Sequence, residues 1–470
     1  MNKDVKALAE SVERRALAKR NSRVHPEDGT QCPSESEAGL ERVGEAAMDR
    51  TVRFNNLLHH VTVDRLRKAY FALKRKAAPG VDGVDWHGYG QGLDEKLVDL
   101  HQRIHTGRYR AKPVQRIWIP KADGRKRPIG NTSVEDKVVQ QALVWVLGAI
   151  YEKDFLGFSY GFRPGRSQHG ALDALYMAIT TRKVSWVLDA DIAGFFDAID
   201  HSWLQRFLRH RIADQGVLRL IEQMLTAGVL DEGQWQATQK GVPQGAVISP
   251  LLSNLYLHYV LDTWVHAWRE QRARGDVYVV RYADDFVVGL QYQEDGERLM
   301  AALQKRLARF GLLLHSKKTR LIEFGRFAAS NRAERGMDKP ESFVFLGFTH
   351  LCGRTRKGRF TVHRRSHAGR QRELLQKIKC WLKKNACIPI GHQGRLLQQV
   401  VRGYFQYHAV PGNNDALQRL RREVNRYWLR TLRRRSQKHK LPWSRMQRYV
   451  NRWIPSVRIL HPYPSERFAY

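Results

Sequence analysis

The sequence predicts an α+β fold. β-rich stretches at 184–192 and 277–290 are interleaved with helical patterning, and beyond about residue 366 the chain turns helical and very basic. Hydrophobic residues make up 42% of the 470, which allows a sizeable core and argues against wholesale disorder. The length corresponds to roughly two to four ordinary domains.

The elements follow in order. Residues 1–24 read as a short charged helix, and HPEDGTQCPSESE (25–37) reads as a linker. Helical stretches at 54–76 and 91–106 flank a loop marked by Pro79-Gly80 and Asp82-Gly83. VQRIWIP (114–120) is β-rich, ADGRKRP (122–128) is a turn with a basic return, and 134–151 is helical. VSWVLDADI (184–192) is a strand leading through a turn into a helix at 201–212. Ser249-Pro250 opens a long helix with apolar residues from Leu252 to Trp264. Proline suits a helix start because its missing N–H would be unpaired there anyway. A strand pair spans 277–290. A helix at 296–312 then precedes strands at 319–324 and 343–350.

Charge narrows the function. Lys plus Arg number 81 and Asp plus Glu 46, a net +35. Such a surplus repels itself and calls for a polyanionic partner, either nucleic acid or an anionic membrane surface. No apolar stretch approaches the roughly 18–20 residues of a membrane span. The first 25 residues lack the apolar segment of a secretory signal. Cys32, Cys352, Cys380 and Cys387 are scattered without a CxxC pair, which disfavours a disulfide framework or zinc module and points to a reducing compartment.

The sharpest local signal is VYVVRYADDFVVGL (277–290), two apolar strands joined at Asp284 and Asp285. Adjacent carboxylates in an apolar hairpin repel each other unless a cation sits there. Alone, the pair is an ordinary polar turn. Asp191 ends a second apolar strand, with Asp189 on the same face by period-two alternation. Carboxylates from two adjacent strand ends suit two Mg²⁺ ions about 4 Å apart. On a basic chain, that chemistry is nucleotidyl transfer on nucleic acid.

At these residues the sequence resembles the reverse transcriptases of bacterial group II introns. The resemblance covers roughly 50–470. In order it includes IPKADGRKRPIGNTSVEDKVVQQAL (119–143), SYGFRPGRSQHGAL (159–172), VLDADIAGFFDAIDH (187–201), KGVPQGAVISPLLSNLYL (240–257), RYADDFVVG (281–289), GLLLHSKKTRLIEFG (311–325) and FVFLGF (343–348). The tail GYFQYHAVPGNN (403–414) and 441–464 looks like the family's thumb, or maturase, region.

The resemblance implies a right-hand polymerase: an extension at 1–50, mainly fingers at 51–183, mainly palm at 184–350 and a basic helical thumb at 351–470. It implies an RNA-directed DNA polymerase that also acts as maturase. Asp191, Asp284 and Asp285, with the carbonyl of Ile192, would hold two Mg²⁺ ions, Mn²⁺ being a substitute. Phe196 matches the gate that excludes a 2′-hydroxyl. Lys121 and Arg127 match residues that hold the incoming triphosphate. Gln244, in GVPQGAVISP (241–250), falls in the loop around the templating base and incoming nucleotide. Lys318 matches a late lysine near the pyrophosphate, with Lys317 as the alternative register. Gly347 falls at the primer grip. The implied partners are intron RNA, target DNA with a primer strand, and deoxynucleoside triphosphates, in the bacterial cytoplasm at the nucleoid.

The C-terminal pattern agrees independently. Over 416–434, Arg419, Arg422, Arg426, Arg430 and Arg433 follow helical spacing beside an apolar stripe from Leu417 to Leu432. With acidic partners nearly absent, this ridge is a candidate RNA-binding face. Trp443, Trp453 and Tyr463 are candidates for base stacking or for the core. The family's frequent nuclease domain, with paired Cys and His, is not expected here, and the primer would then come from elsewhere, such as a nascent strand at a replication fork. Two alternatives stay open: a splicing cofactor with little polymerase activity, and a related reverse transcriptase serving phage defence.

Overall fold

The computed structural model describes residues 35–120, 126–435 and 441–468. The helix expected over 1–24 lies outside them, as does most of the expected linker. The linker's end is a correction: Glu35–Ala46 is helical.

Three sheets organise the chain. The first contains β1 (Val114–Pro120), β2 (Lys126–Asn131), β4 (Val229–Asp231) and β5 (Gln234–Gln236), in the order β2-β1-β4-β5. The central sheet is built on β3 (Trp186–Ala193), with β6 (Val277–Tyr282), β7 (Asp285–Leu290) and β8 (Leu313–Leu314) in the order β6-β7-β3-β8. β9 (Arg320–Glu323) also pairs with β3, and every pairing in this sheet is antiparallel. The third sheet is an antiparallel meander of β10 (Phe343–Phe345), β11 (Phe348–Arg354) and β12 (Phe360–Ser366).

The helix Val134–Asp154 is the hub of the main core. Ser133 caps it by accepting from the Asp136 N–H at 3.0 Å. Its Val138, Val139, Ala142, Leu143, Val146 and Ile150 side chains are fully buried on several faces. A helix apolar nearly all round must be enclosed rather than lie on a surface. A second cluster joins the outer face of the central sheet to β10–β12 through Val187, Val287, Phe324, Phe343 and Phe348. A third, around Trp428, holds the C-terminal helices together.

Two expected elements differ. The helix expected over 54–76 shrinks to Val63–Ala72, because Thr62 caps a new start and Phe54 instead bridges to Ile212. The strand expected over 343–350 breaks at Leu346 and Gly347, both in the left-handed region, and turns back as a hairpin. No described helix is long and apolar enough to cross a membrane. Cys352, Cys380 and Cys387 are free thiols.

Candidate active site and nucleic-acid interface

The β6–β7 hairpin closes with Tyr282 opposite Asp285, leaving Ala283 and Asp284 as its two-residue turn. Ala283 has φ 57°, the positive value that tight hairpin turns demand. β7 pairs with β3 so that Asp285 stands directly opposite Asp191. Directly opposed residues share a face, with Cβ atoms about 5 Å apart. Asp189 lies two residues back on that face, 3.9 Å from Arg320. The sheet register thus brings Asp191, Asp284 and Asp285 together from segments more than ninety residues apart.

Crowded carboxylates in a partly enclosed position resist ionising. Burial, and then Asp189, Asp191 and Asp284, push the Asp285 carboxyl up to about 8. Burial raises Asp284 as well, with Asp191 adding to it and Arg127 opposing. Asp189 is pushed up to about 6, chiefly by burial. Lys318 is the nearest cation, its Nζ 2.6 Å from Asp191 Oδ2. Hard oxygen donors that repel one another fit a divalent cation. Among the described residues, no group of three His, Cys, Asp or Glu side chains forms a ready-made metal cage. The Asp191 carboxylate is turned to Lys318, and a cation must share or displace that contact. Ile192 pairs with Leu314, and the preceding carbonyl, of Asp191, accepts from the His315 N–H at 2.8 Å.

Arg281 is the residue that sequence reading passed over. It is fully buried beneath the turn, and its guanidinium donates to Asp262 Oδ1 at 2.7 Å and Oδ2 at 2.5 Å. The remaining donors reach Asn254 Oδ1 at 3.1 Å, the Ala283 carbonyl at 3.0 Å and Ser159 Oγ at 2.7 Å. Asp262 ends a widened helical turn, His258–Asp262, inside the long helix that Ser249-Pro250 opens. Gly161 packs against the same turn: a Cβ there would lie 2.4 Å from the Ala283 nitrogen. The signal was present, since an arginine interrupts the apolar strand VYVVRY.

Four other segments bear on the site. Arg127 projects from β2 opposite Ile119 and is exposed, and its charge reaches Asp284. Lys121 lies outside the described residues. The Gln244 carbonyl accepts from the Gly130 N–H at 2.7 Å, fastening the 241–250 loop to β2. At the loop's other end, the Val242 N–H donates to the Phe196 carbonyl at 2.8 Å. Gly241, with φ 87°, makes this approach possible, since a Cβ would lie 3.0 Å from that carbonyl oxygen. Phe196 is half-buried, edge-on to the buried Phe195 at 5.4 Å between ring centres. The Leu346–Gly347 turn is pinned from the C-terminal helices, where Tyr407 Oη donates to the Leu346 carbonyl at 2.7 Å.

The C-terminal ridge forms on the helix Asn414–Arg433. Leu417, Leu420, Val424, Trp428 and Leu432 are buried, while Arg419, Arg422, Arg426, Arg430 and Arg433 are exposed. Two of the five have local partners: Arg426 pairs with Glu423 at 2.8 Å, and Arg433 donates to the Leu441 carbonyl at 2.9 Å. Trp443 and Tyr463 are exposed, whereas Trp453 packs against the C-terminal cluster.

Comparisons with known proteins match both halves. A family described as reverse transcriptase (RNA-dependent DNA polymerase) matches residues 119–350, and the group II intron maturase-specific domain matches residues 371–450. Protein YkfC of Escherichia coli is 32% identical over 356 residues, 67% of this chain and 88% of that protein. Group II intron-encoded protein LtrA of Lactococcus lactis is 39% identical over 173 residues, 37% of this chain and 28% of that protein. Nuclear intron maturase 2 of Arabidopsis thaliana is 27% identical over 113 residues, 23% of this chain and 15% of that protein. The first family has the right-hand polymerase fold and generally uses divalent metal ions. With its polymerase domain followed in order by the maturase domain, the chain belongs to the group II intron family of reverse transcriptases and maturases.

Proposed function

We propose that this chain copies group II intron RNA into DNA and, as a maturase, binds that RNA to promote its splicing. The observation that carries the polymerase half is Asp285 standing opposite Asp191 at the mouth of the hairpin that presents Asp284. On this reading, 51–183 is mainly fingers, 184–350 mainly palm and 351–470 thumb.

Asp191, Asp284 and Asp285, with the Ile192 carbonyl, would hold two Mg²⁺ ions, or Mn²⁺ in their place. Bound there, the ions would supply acidity at the primer 3′-hydroxyl and neutralise charge at the leaving pyrophosphate. The protein's part is positioning and charge. Arg127, with Lys121, grips the triphosphate of a deoxynucleotide, and a guanidinium can do so with two parallel hydrogen bonds. Phe196 blocks the space a 2′-hydroxyl needs. The Gln244 loop, tied to both β2 and the Phe196 turn, lines the pocket for the new base pair. Lys318, already beside Asp191, donates a proton toward the pyrophosphate. Arg419, Arg422 and Arg430 contact RNA phosphates, and target DNA with its primer strand lies over Asp191, Asp284 and Asp285, in the central cleft that a right-hand polymerase fold provides. The protein works in the bacterial cytoplasm, at the nucleoid.

Primer extension on an RNA template, with deoxynucleotides and Mg²⁺, tests this function. Wild type extends and Asp284→Ala does not; equal extension by both removes the assignment. A splicing assay separates the two roles, since Asp284→Ala protein is expected to keep its splicing activity. Loss of splicing together with extension contradicts the separation.

A further inference from the structure

A cavity of about 810 Å³ lies between the segment after β9 and the β11–β12 hairpin. It is far from the catalytic carboxylates. The Phe324 N–H donates to the Ser185 carbonyl at 2.9 Å, so β9 leaves the central sheet beside the start of β3. Asp191 sits six residues further along β3. At about 3.3 Å per residue, roughly 20 Å separate the two ends.

The lining has a consistent chemistry. Arg326, Lys339, Arg354 and Arg359 contribute positive charge, and among the described residues no acidic one lines the cavity. Among the described residues, Lys339, Arg354 and Arg359 form no ion pair. Phe327 lines the wall 57% exposed, and Phe360, half-buried, lines it too. Arg356 and Lys357 continue the positive surface at the exposed hairpin tip. Four cations keep this place positive, and an exposed aromatic ring costs water contact with nothing gained in the folded chain. Together they match an unpaired nucleotide, with its base on the ring and its phosphates on the guanidinium groups. The volume suits a nucleotide and its neighbour.

We propose that this cavity is a second RNA site, holding a single-stranded loop of RNA while the central cleft holds primer and template. The proposal rests on the reading of the chain as an RNA-copying protein. It adds an anchor on the far side of the central sheet, which would keep a structured RNA tethered during copying. Binding there should weaken steeply with salt, since phosphate contacts release counterions.

The test uses the full chain with its central cleft saturated by an unlabelled RNA–DNA primer–template. A fluorescent octamer of uridylates then reports the second site. Wild type is expected to bind it. Phe327→Ser and the double variant Arg354→Ser/Arg359→Ser, all at exposed positions, should each weaken binding about tenfold or more while primer extension stays within about twofold. Octamer binding abolished by the primer–template, or unchanged in both variants, overturns the proposal. Equal binding of an oligodeoxythymidylate octamer overturns the assignment to RNA. Failure of wild type to extend a primer counts against the polymerase reading, whereas normal extension without variant-sensitive octamer binding counts against the second site alone.

Discussion

Arg281 and Asp262 form a fully buried ion pair directly beneath the turn that carries Asp284, and all five guanidinium N–H groups are used. A pair in this position gains less from its own attraction than it would lose by being split, because a lone buried charge has no water to turn to. Arg281→Met should therefore destabilise the protein by about 3–5 kcal/mol in urea unfolding. The double variant Arg281→Met/Asp262→Leu should recover part of that loss, since the Asp262 charge is gone while Asn254, Ser159 and the Ala283 carbonyl still lack their donor. A single variant as stable as wild type contradicts the burial of the pair.

Gly161 makes a narrower prediction. Its absent side chain leaves room for the Ala283 nitrogen, and a methyl group there would lie 2.4 Å away. Gly161→Ala should push the turn aside and shift Asp284 and Asp285. Misplacing reacting groups by about 1 Å costs on the order of a hundredfold. Steady-state extension should show kcat falling while KM for deoxynucleotide changes little, and overpacking should lower the melting temperature. An unchanged kcat means the turn tolerates the shift.

The strand-end placing of Asp191, Asp284 and Asp285 and the exposed arginine ridge were legible in the sequence because each depends on local pattern, whereas Phe196 was singled out by the resemblance alone. Asp191 ends an apolar strand, Asp284 and Asp285 interrupt one, and the arginines of 419–433 repeat at helical spacing. The register that sets Asp285 opposite Asp191 was not legible, because it depends on strands ninety residues apart meeting at one offset. Arg281 itself stands out in an apolar strand, but what it binds was not legible, because Asp262, Asn254 and Ser159 come from other segments. The 54–76 stretch was read as one helix because its periodicity gave no hint that Phe54 would bridge to Ile212.

Buried neutral histidines should weaken the fold in acid, against a smaller opposite contribution from the Asp285 and Asp189 carboxyls, whose folded values are raised. Burial holds His350 down to about 3 and His258 and His408 to about 4. In the unfolded chain each titrates near 6.5. The folded values are the lower ones, so the stabilisation is complete above about pH 6.5 and drains away as pH falls toward 4. Each histidine should cost roughly 1 kcal/mol per pH unit across that window. Urea unfolding at pH 7, 6 and 5 measures the slope. His350→Phe, which keeps the ring stacked on Phe343, should flatten it. A slope unchanged by that substitution assigns the acid sensitivity elsewhere.

The ridge predicts a salt signature. Replacing Arg419, Arg422 and Arg430 with serine removes three exposed charges without touching the buried stripe. Intron RNA affinity should fall, and the slope of log affinity against log salt should shrink by about 2–3. Filter binding across a salt series gives both values. Affinity and slope matching wild type would place the RNA on another face.

The most direct test of the carboxylate centre is single-nucleotide incorporation with Asp191→Asn. This change removes a charge, keeps the shape, and leaves the β3–β7 pairing intact. Wild type should add one deoxynucleotide to a primer on an RNA template. Asp191→Asn should be slower by about a thousandfold or more, while primer–template affinity stays within about threefold. Incorporation by Asp191→Asn at a rate near that of wild type would contradict the assignment of this centre.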